Sequence, residues 1–89
     1  MDVGVYMSNK DSNGIVIYIK GIGDGYLFAN AYLENKSMKK MYCQPRALSL
    51  NGYNYKQIID EELNLHKYPQ DMPLALVLQE GLIRTFSCK

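Results

Sequence analysis

The sequence predicts a small all-α domain of about three to four helices. Residues 14–34 and 72–87 repeat apolar side chains at the i, i+3, i+4 spacing of a helix that buries one face. Residues 52–67 show the same period and are followed closely by a proline. With 47% hydrophobic and 21% charged residues, the composition is that of a globular protein rather than a disordered one.

The chain is long enough for one domain, so we expect residues 1–89 to fold around a single core. Its beginning is polar after Tyr6, and residues 1–13 are expected to form a loosely ordered lead-in. Within this lead-in, Asp11 or Ser12 is placed to cap the helix that follows.

The first predicted helix competes with a strand. Ile15–Ile19 is β-branched and aromatic, which favours a strand that ends in a glycine turn. Over five turns, however, a helical core face recurs at Ile15, Tyr18, Ile19, Ile22, Tyr26, Ala29 and Leu33. Gly21 and Gly25 are four residues apart and form a smooth face on which another helix can lie close. A helix over residues 14–34 is therefore predicted, with the strand as the alternative.

The second helix follows a long connection, residues 36–51, which shows no sustained period. Asn51 is the expected N-cap, although no Glu stands at the third helical position to complete a capping box. The core face of this helix is predicted to consist of Tyr55, Ile58, Ile59 and Leu63. Pro69 ends it.

The third helix is expected to begin at Asp71 as N-cap, with Pro73 in its first turn. Its apolar stripe is Leu74, Ala75, Leu78, Leu82 and Phe86. Cys88 follows this stripe directly, and the other cysteine is Cys43. Composition alone leaves open whether the two form one disulfide or remain free thiols.

The sequence supplies few parts of an active site. His66 is the single histidine, and a helix-end role fits it better than a catalytic one. One His and two well-separated Cys residues do not make a zinc site, and Gly21–Gly25 lacks the spacing of a phosphate loop. We therefore expect no enzyme activity, no metal and no cofactor.

Charge and hydropathy also exclude two classes of partner. The formal net charge is +1, which gives no electrostatic reason for binding nucleic acid or an anionic membrane. Lys36, Lys39 and Lys40 form a small basic cluster, which is predicted to be a solvated loop. No apolar run reaches the roughly eighteen residues of a membrane span.

Three segments together resemble the Tai/Rap-type immunity proteins of type VI secretion systems. Gly21–Leu33 is similar to the first-helix signature of that family, and Tyr42–Pro45 is similar to its Cys-x-Pro corner. Pro73–Cys88 resembles its terminal helix, with Ser87 in place of the proline that usually precedes the last cysteine. Members of the family are small helical periplasmic proteins that bind and block peptidoglycan amidase effectors.

The resemblance implies several properties of this chain. Cys43 and Cys88 would form a disulfide, which closes a loop of about 45 residues and is worth roughly 4 kcal/mol. Gly21, Gly25 and Ala29 would form a close-packing face. The chain would act in the periplasm, although residues 1–13 do not have the pattern of a leader peptide. A homodimer is also implied, and Ile17, Leu27 and Phe28 support it as apolar residues outside the core face.

The surface that meets an effector is expected on the second helix and the turn after it. Its candidate partner-binding residues are Tyr53, Asn54, Lys56, His66 and Tyr68. An alternative function from another class is a small periplasmic chaperone of the acid-stress kind, which exposes apolar surface at low pH.

Overall fold

A computed structural model describes residues 1–88 as four helices. They are α1 (Val3–Ser8), α2 (Asn13–Asn35), α3 (Gly52–Leu65) and α4 (Leu74–Thr85). Helix makes up 62% of the chain and no strand occurs within residues 1–88, which confirms the all-α prediction and removes the strand alternative at residues 15–19. The described domain measures 40 × 25 × 18 Å.

The core lies along α3, which packs against both α2 and α4. Its fully buried side chains come from every helix and from the α2–α3 connection: Tyr6, Ile19, Tyr42, Tyr55, Ile59, Leu74, Val77, Leu78 and Leu82. Full burial of each such apolar side chain is worth about 1.5–3 kcal/mol relative to exposure. Tyr26 adds a polar link, because its hydroxyl donates to the Ala75 carbonyl at 2.8 Å and so joins α2 to α4.

The prediction that residues 1–13 form a loosely ordered lead-in is wrong, because this segment contains α1 and contributes to the core. Asp2 caps α1 by accepting a hydrogen bond from the Val5 N–H at 2.9 Å, and Val3 and Tyr6 are buried. The Tyr6 hydroxyl donates to the Asp60 carboxylate at 2.5 Å. These partners lie far along the sequence, so the polar run after Tyr6 did not reveal them.

Helix α2 places its glycines differently from the prediction. A Cβ on Gly21 or Gly25 would meet nothing within 4 Å, whereas a Cβ on Gly23 would overlap the Tyr55 ring. The close-packing glycine is therefore Gly23, which lies on the core face, and Ala29 is exposed. Tyr18, assigned to the core, is also exposed. Ser12 caps the helix by accepting from the Gly14 N–H at 3.2 Å, one of the two caps expected.

Two helix starts also differ from their predictions. At α3 the capping box is complete, because Asn54 takes the place of Glu and accepts from the Asn51 N–H at 3.0 Å. At α4 the N-cap is Pro73 rather than Asp71, and no side chain caps it. Instead the Leu74 N–H donates to the Met1 carbonyl at 3.0 Å.

The α1 and α4 starts cap each other through their backbones. The N–H groups of Val3 and Gly4 donate to the carbonyls of Met72 and Gln70, at 3.0 and 2.9 Å. The first N–H groups of a helix have no acceptor within that helix. Here the residues before α4 supply carbonyls to α1, and Met1, before α1, supplies one to α4.

The long connection is pinned at two points. Cys43 and Cys88 form the disulfide, and the Cys43 N–H also donates to the Phe86 carbonyl at 2.7 Å. Asn30, buried on α2, bonds the chain on both sides: its amide donates to the Tyr42 carbonyl at 2.7 Å and accepts from the Met41 N–H at 2.8 Å. The disulfide is therefore confirmed, and the irregular segment is held against α2.

Candidate protein-binding surfaces

The first half of the predicted surface lies at the beginning of α3. Tyr53 is 65% exposed and is the large side chain of this group that remains free to meet a partner. Asn54 is occupied by the capping box. Lys56 is partly buried, and its ammonium lies 3.3 Å from the Asp60 carboxylate, which Tyr6 also contacts. Of the three, Tyr53 is the best binding candidate.

The second half lies just beyond the end of α3, where His66 and Tyr68 surround a buried carboxylate. Glu62 is only 3% exposed. Its carboxylate accepts from the Arg84 guanidinium at 2.7 Å and from the Tyr68 hydroxyl at 2.9 Å. His66 lies further out, with its ring nitrogen 3.8 Å from the same carboxylate. This arrangement ties α3 to α4 at that end.

The partners of Glu62 control its protonation. Burial acts to raise the pKa of Glu62, but hydrogen bonds from Arg84 and Tyr68 and the nearby charges of Arg84 and His66 outweigh it and lower that pKa. Burial and the bond to Glu62 raise the pKa of Tyr68 to about 12. Glu62 therefore remains a carboxylate at neutral pH, and Tyr68 remains its hydrogen-bond donor.

The structure does not bring the five predicted residues into one site. Tyr53 and His66 lie at opposite ends of a fourteen-residue helix, about 20 Å apart by helical rise. Tyr68 and Lys56 each hold a carboxylate of the fold as well. A partner that meets Tyr53 therefore does not depend on contact with His66.

Helix α2 presents an apolar face that the core does not use. This outer stripe consists of Ile17, Gly21, Gly25, Phe28 and Tyr32, which recur at steps of three or four residues. Ile17, Phe28 and Tyr32 are 74%, 72% and 60% exposed. Because the two glycines between them have open space around their Cα atoms, a partner can approach the helix backbone closely.

A cleft of about 330 Å³ lies beside the outer stripe, between α2 and the connection to α3. Its apolar walls are Leu27 and Ala31 of α2 and Pro45 and Leu48 of the connection. The cleft has no signal in the sequence, because its two sides are brought together by tertiary contacts, among them the bonds that Asn30 makes to Met41 and Tyr42.

The rim of this cleft is charged. Glu34 lies 2.6 Å from the Arg46 guanidinium and 3.5 Å from the Lys40 ammonium. The Arg46 side chain is 90% exposed. Lys40 belongs to the basic cluster seen in the sequence, whereas Arg46 lies outside that cluster and is brought to the rim of the cleft by the fold. We call this feature, with its apolar walls and charged rim, the basic-rimmed cleft.

The structure also gives the state of the cysteines and the placement of potential metal ligands. Cys43 is bonded to Cys88, so its sulfur is not available as a thiolate. Within residues 1–88, no three His, Cys, Asp or Glu side chains gather where they would hold a metal ion. None of the helices described combines the length and the apolar character needed to cross a bilayer.

Comparison with protein-family models, with curated proteins and with solved structures finds no match to this chain.

Proposed function

We propose that the chain is an immunity protein that binds a peptidoglycan amidase effector of a type VI secretion system and inhibits it sterically. The observation that carries the proposal is the exposure of large apolar side chains on rigid helices. Phe28 and Tyr53 are 72% and 65% exposed, although the domain has a complete core of its own. Exposed aromatic side chains of this kind are the usual anchors of protein interfaces.

The disulfide supports an inhibitory role because it keeps the domain rigid. Cys43 fastens the α2–α3 connection to the end of α4, and Asn30 fastens the same connection to α2. A rigid surface loses little conformational entropy on binding, so more of the contact energy appears as affinity. A disulfide also suits an oxidising compartment, which agrees with the proposed location in the periplasm.

The mechanism requires occlusion of the effector and no turnover. Tyr53 lies at the start of α3, on a turn fixed by the Asn51–Asn54 capping box. An aromatic ring held in this way can enter the active-site cleft of an amidase and exclude its substrate. Tyr68, beyond the other end of α3, contributes less to the contact with the amidase, because its hydroxyl is bound to Glu62.

The outer stripe supports a homodimer as part of the same proposal. Ile17 and Phe28 stand on either side of Gly21 and Gly25. In an antiparallel pair of α2 helices, Ile17 would lie near Phe28 of a second copy while the glycines cross. Phe28→Glu would place a charge in this contact, and sedimentation should show a dimer for the wild type and a monomer for the variant. A wild-type monomer at micromolar concentration would remove the dimer from the proposal.

One observation favours the alternative of an acid-stress chaperone. Glu62 is a buried carboxylate with a lowered pKa, so acid weakens the joint between α3 and α4. A chaperone of this kind would bind unfolded proteins at low pH. An inhibitor would bind a folded amidase at neutral pH.

Calorimetric titration of the purified chain with candidate amidase effectors at pH 7 tests the proposal. We expect a saturable complex, together with loss of peptidoglycan hydrolysis at equal concentrations of the two proteins. Suppression of aggregation of a denatured substrate protein, measured at pH 3 and pH 7, tests the alternative. Activity in that assay at pH 3 without effector binding would overturn the immunity assignment.

A further inference from the structure

The basic-rimmed cleft combines a rigid apolar hollow with an excess of positive charge. Leu27 and Leu48 are both exposed, so both walls present apolar surface to solvent. The volume of about 330 Å³ is at the lower end of the range for ligand pockets and is large enough for one bulky side chain.

The walls of the cleft are held in place from both sides. The Gln44 amide donates to the Leu48 carbonyl at 2.7 Å, which closes the turn that carries Pro45. Cys43, next to Gln44, is fixed by the disulfide. The α2 wall is a continuous helix. An occupant therefore meets a preformed site.

The charge of the rim selects the occupant. Glu34 is the single carboxylate among the residues that line the cleft, and two cations, Lys40 and Arg46, share it. The lining residues therefore carry more positive than negative charge. This excess attracts carboxylates, and the exposed Arg46 guanidinium has N–H groups free for a planar, bidentate contact.

We propose that the basic-rimmed cleft docks an acidic loop of the partner protein, one that inserts an apolar side chain flanked by Asp or Glu. This inference rests on the proposed function as a protein-binding inhibitor and names the chemistry that the partner must present. The cleft also lies close along the chain to the expected contact at Tyr53. Leu48 precedes Tyr53 by five residues, which places them at most about 17 Å apart. A partner surface of standard size is wide enough to span that distance.

An NMR titration that does not require the effector tests the cleft directly. The probe is the peptide acetyl-Asp-Glu-Leu-Phe-Asp-Glu-amide, and its matched control replaces each Asp and Glu with Asn and Gln. We expect the acidic peptide to shift the amide signals of Leu27, Ala31 and Leu48, and the neutral peptide to bind about tenfold more weakly. Equal binding of the two peptides, or shifts that lie elsewhere, would overturn the proposal.

Variants of the protein separate the roles of charge and shape. Arg46→Gln removes the exposed cation, and Ala31→Trp fills the hollow from an exposed helical position. Each should weaken binding of the acidic peptide about tenfold, whereas Lys67→Glu, which alters an exposed lysine outside the cleft, should leave it unchanged.

Two further measurements distinguish failure of this inference from failure of the proposed function. If an amidase effector binds wild type, Arg46→Gln and Ala31→Trp equally, the cleft is not the docking site while the immunity assignment survives. Binding of the wild type to phosphatidylglycerol vesicles but not to the acidic peptide would assign the basic rim to a membrane and would also overturn the inference.

Discussion

The Arg84 guanidinium donates to the Glu62 carboxylate at 2.7 Å, and this pair joins α4 to α3. The two side chains differ in exposure, since that of Glu62 is 4% exposed and that of Arg84 is 35% exposed. A buried carboxylate that keeps its charge requires such partners, and Tyr68 provides another. Removing any of them leaves polar groups unsatisfied in the interior.

We predict that this pair makes the stability of the domain depend on pH. The folded pKa of Glu62 lies below its unfolded value, so its stabilisation is complete above about pH 4.5 and is lost as the pH falls through the folded pKa. Glu62→Gln should lower the free energy of unfolding by about 2–4 kcal/mol at pH 7 and flatten its fall in acid. Urea denaturation at pH 7 and pH 4 measures both effects.

The neighbouring residue supplies a matched control. Glu61 also lies near Arg84, at 3.5 Å, but its side chain is 53% exposed. Glu61→Gln should therefore change the free energy of unfolding by less than about 0.5 kcal/mol. If both variants lose the same stability and keep the same pH dependence, the burial of Glu62 is not the cause.

The glycines of α2 provide a second prediction. Gly23→Ala should destabilise the domain by about 1–3 kcal/mol, because the new methyl group overlaps the Tyr55 ring in the core. In the monomer, Gly21→Ala and Gly25→Ala should instead stabilise the domain by roughly 0.5–1 kcal/mol, since alanine favours the helix and meets nothing within 4 Å. Thermal unfolding of the three variants measures the difference. An equal effect at all three positions would contradict this packing.

These glycines also show how far the sequence predicts the fold. The three long helices follow from apolar periods that extend over several turns of one segment. The choice among Gly21, Gly23 and Gly25 depends on which face meets Tyr55, and this is a tertiary fact. Helix α1 has only six residues, too few for an apolar period to be recognised. It is held by the bond between Tyr6 and Asp60, which are 54 residues apart. Local pattern carries no signal for such a partner.

Less of the candidate site could be predicted from the sequence. The type of Tyr53 and its position beside a core face predict that it is a contact residue, and the structure shows that it is exposed. Because the net charge of the whole chain is near zero, the lysines of the α2–α3 connection are predicted to be a solvated loop. Only the fold shows that Lys40 and Arg46 meet above an apolar cleft.

Tyr6 provides a third prediction, which tests whether α1 belongs to the domain. Tyr6→Phe removes the bond to Asp60 and should cost about 1–2 kcal/mol, and Tyr6→Ala should cost roughly 3–5 kcal/mol by opening a cavity. Met7→Ala, at an exposed position on the same helix, should cost less than about 0.5 kcal/mol. Chemical denaturation gives these values. Equal stability of all four proteins would return residues 1–13 to a loose lead-in.

The disulfide provides a fourth prediction. Because Cys43 and Cys88 are 45 residues apart, their bond should contribute about 4 kcal/mol, mostly by restricting the unfolded chain. The double variant Cys43→Ser, Cys88→Ser should therefore unfold at a lower urea concentration than the oxidised wild type. Adding a reductant should bring the wild type to the same midpoint and leave the double variant unchanged. A wild type whose midpoint does not respond to reduction would contradict the assignment.

The last prediction concerns the contact with the effector. Tyr53 is 65% exposed, so Tyr53→Ala should leave the free energy of unfolding within about 0.5 kcal/mol of the wild type. If Tyr53 is a hot spot of the interface, the same change should weaken effector binding by about 2 kcal/mol or more.

Tyr68 requires a more conservative substitution, because alanine at this position would remove a hydrogen-bond donor from buried Glu62. Tyr68→Phe keeps the ring and tests whether its hydroxyl serves the fold alone. Calorimetry with the effector, paired with denaturation of each variant, separates affinity from stability. Full neutralisation by Tyr53→Ala would remove the beginning of α3 from the interface, and Arg46 of the basic-rimmed cleft would then be the next residue to replace.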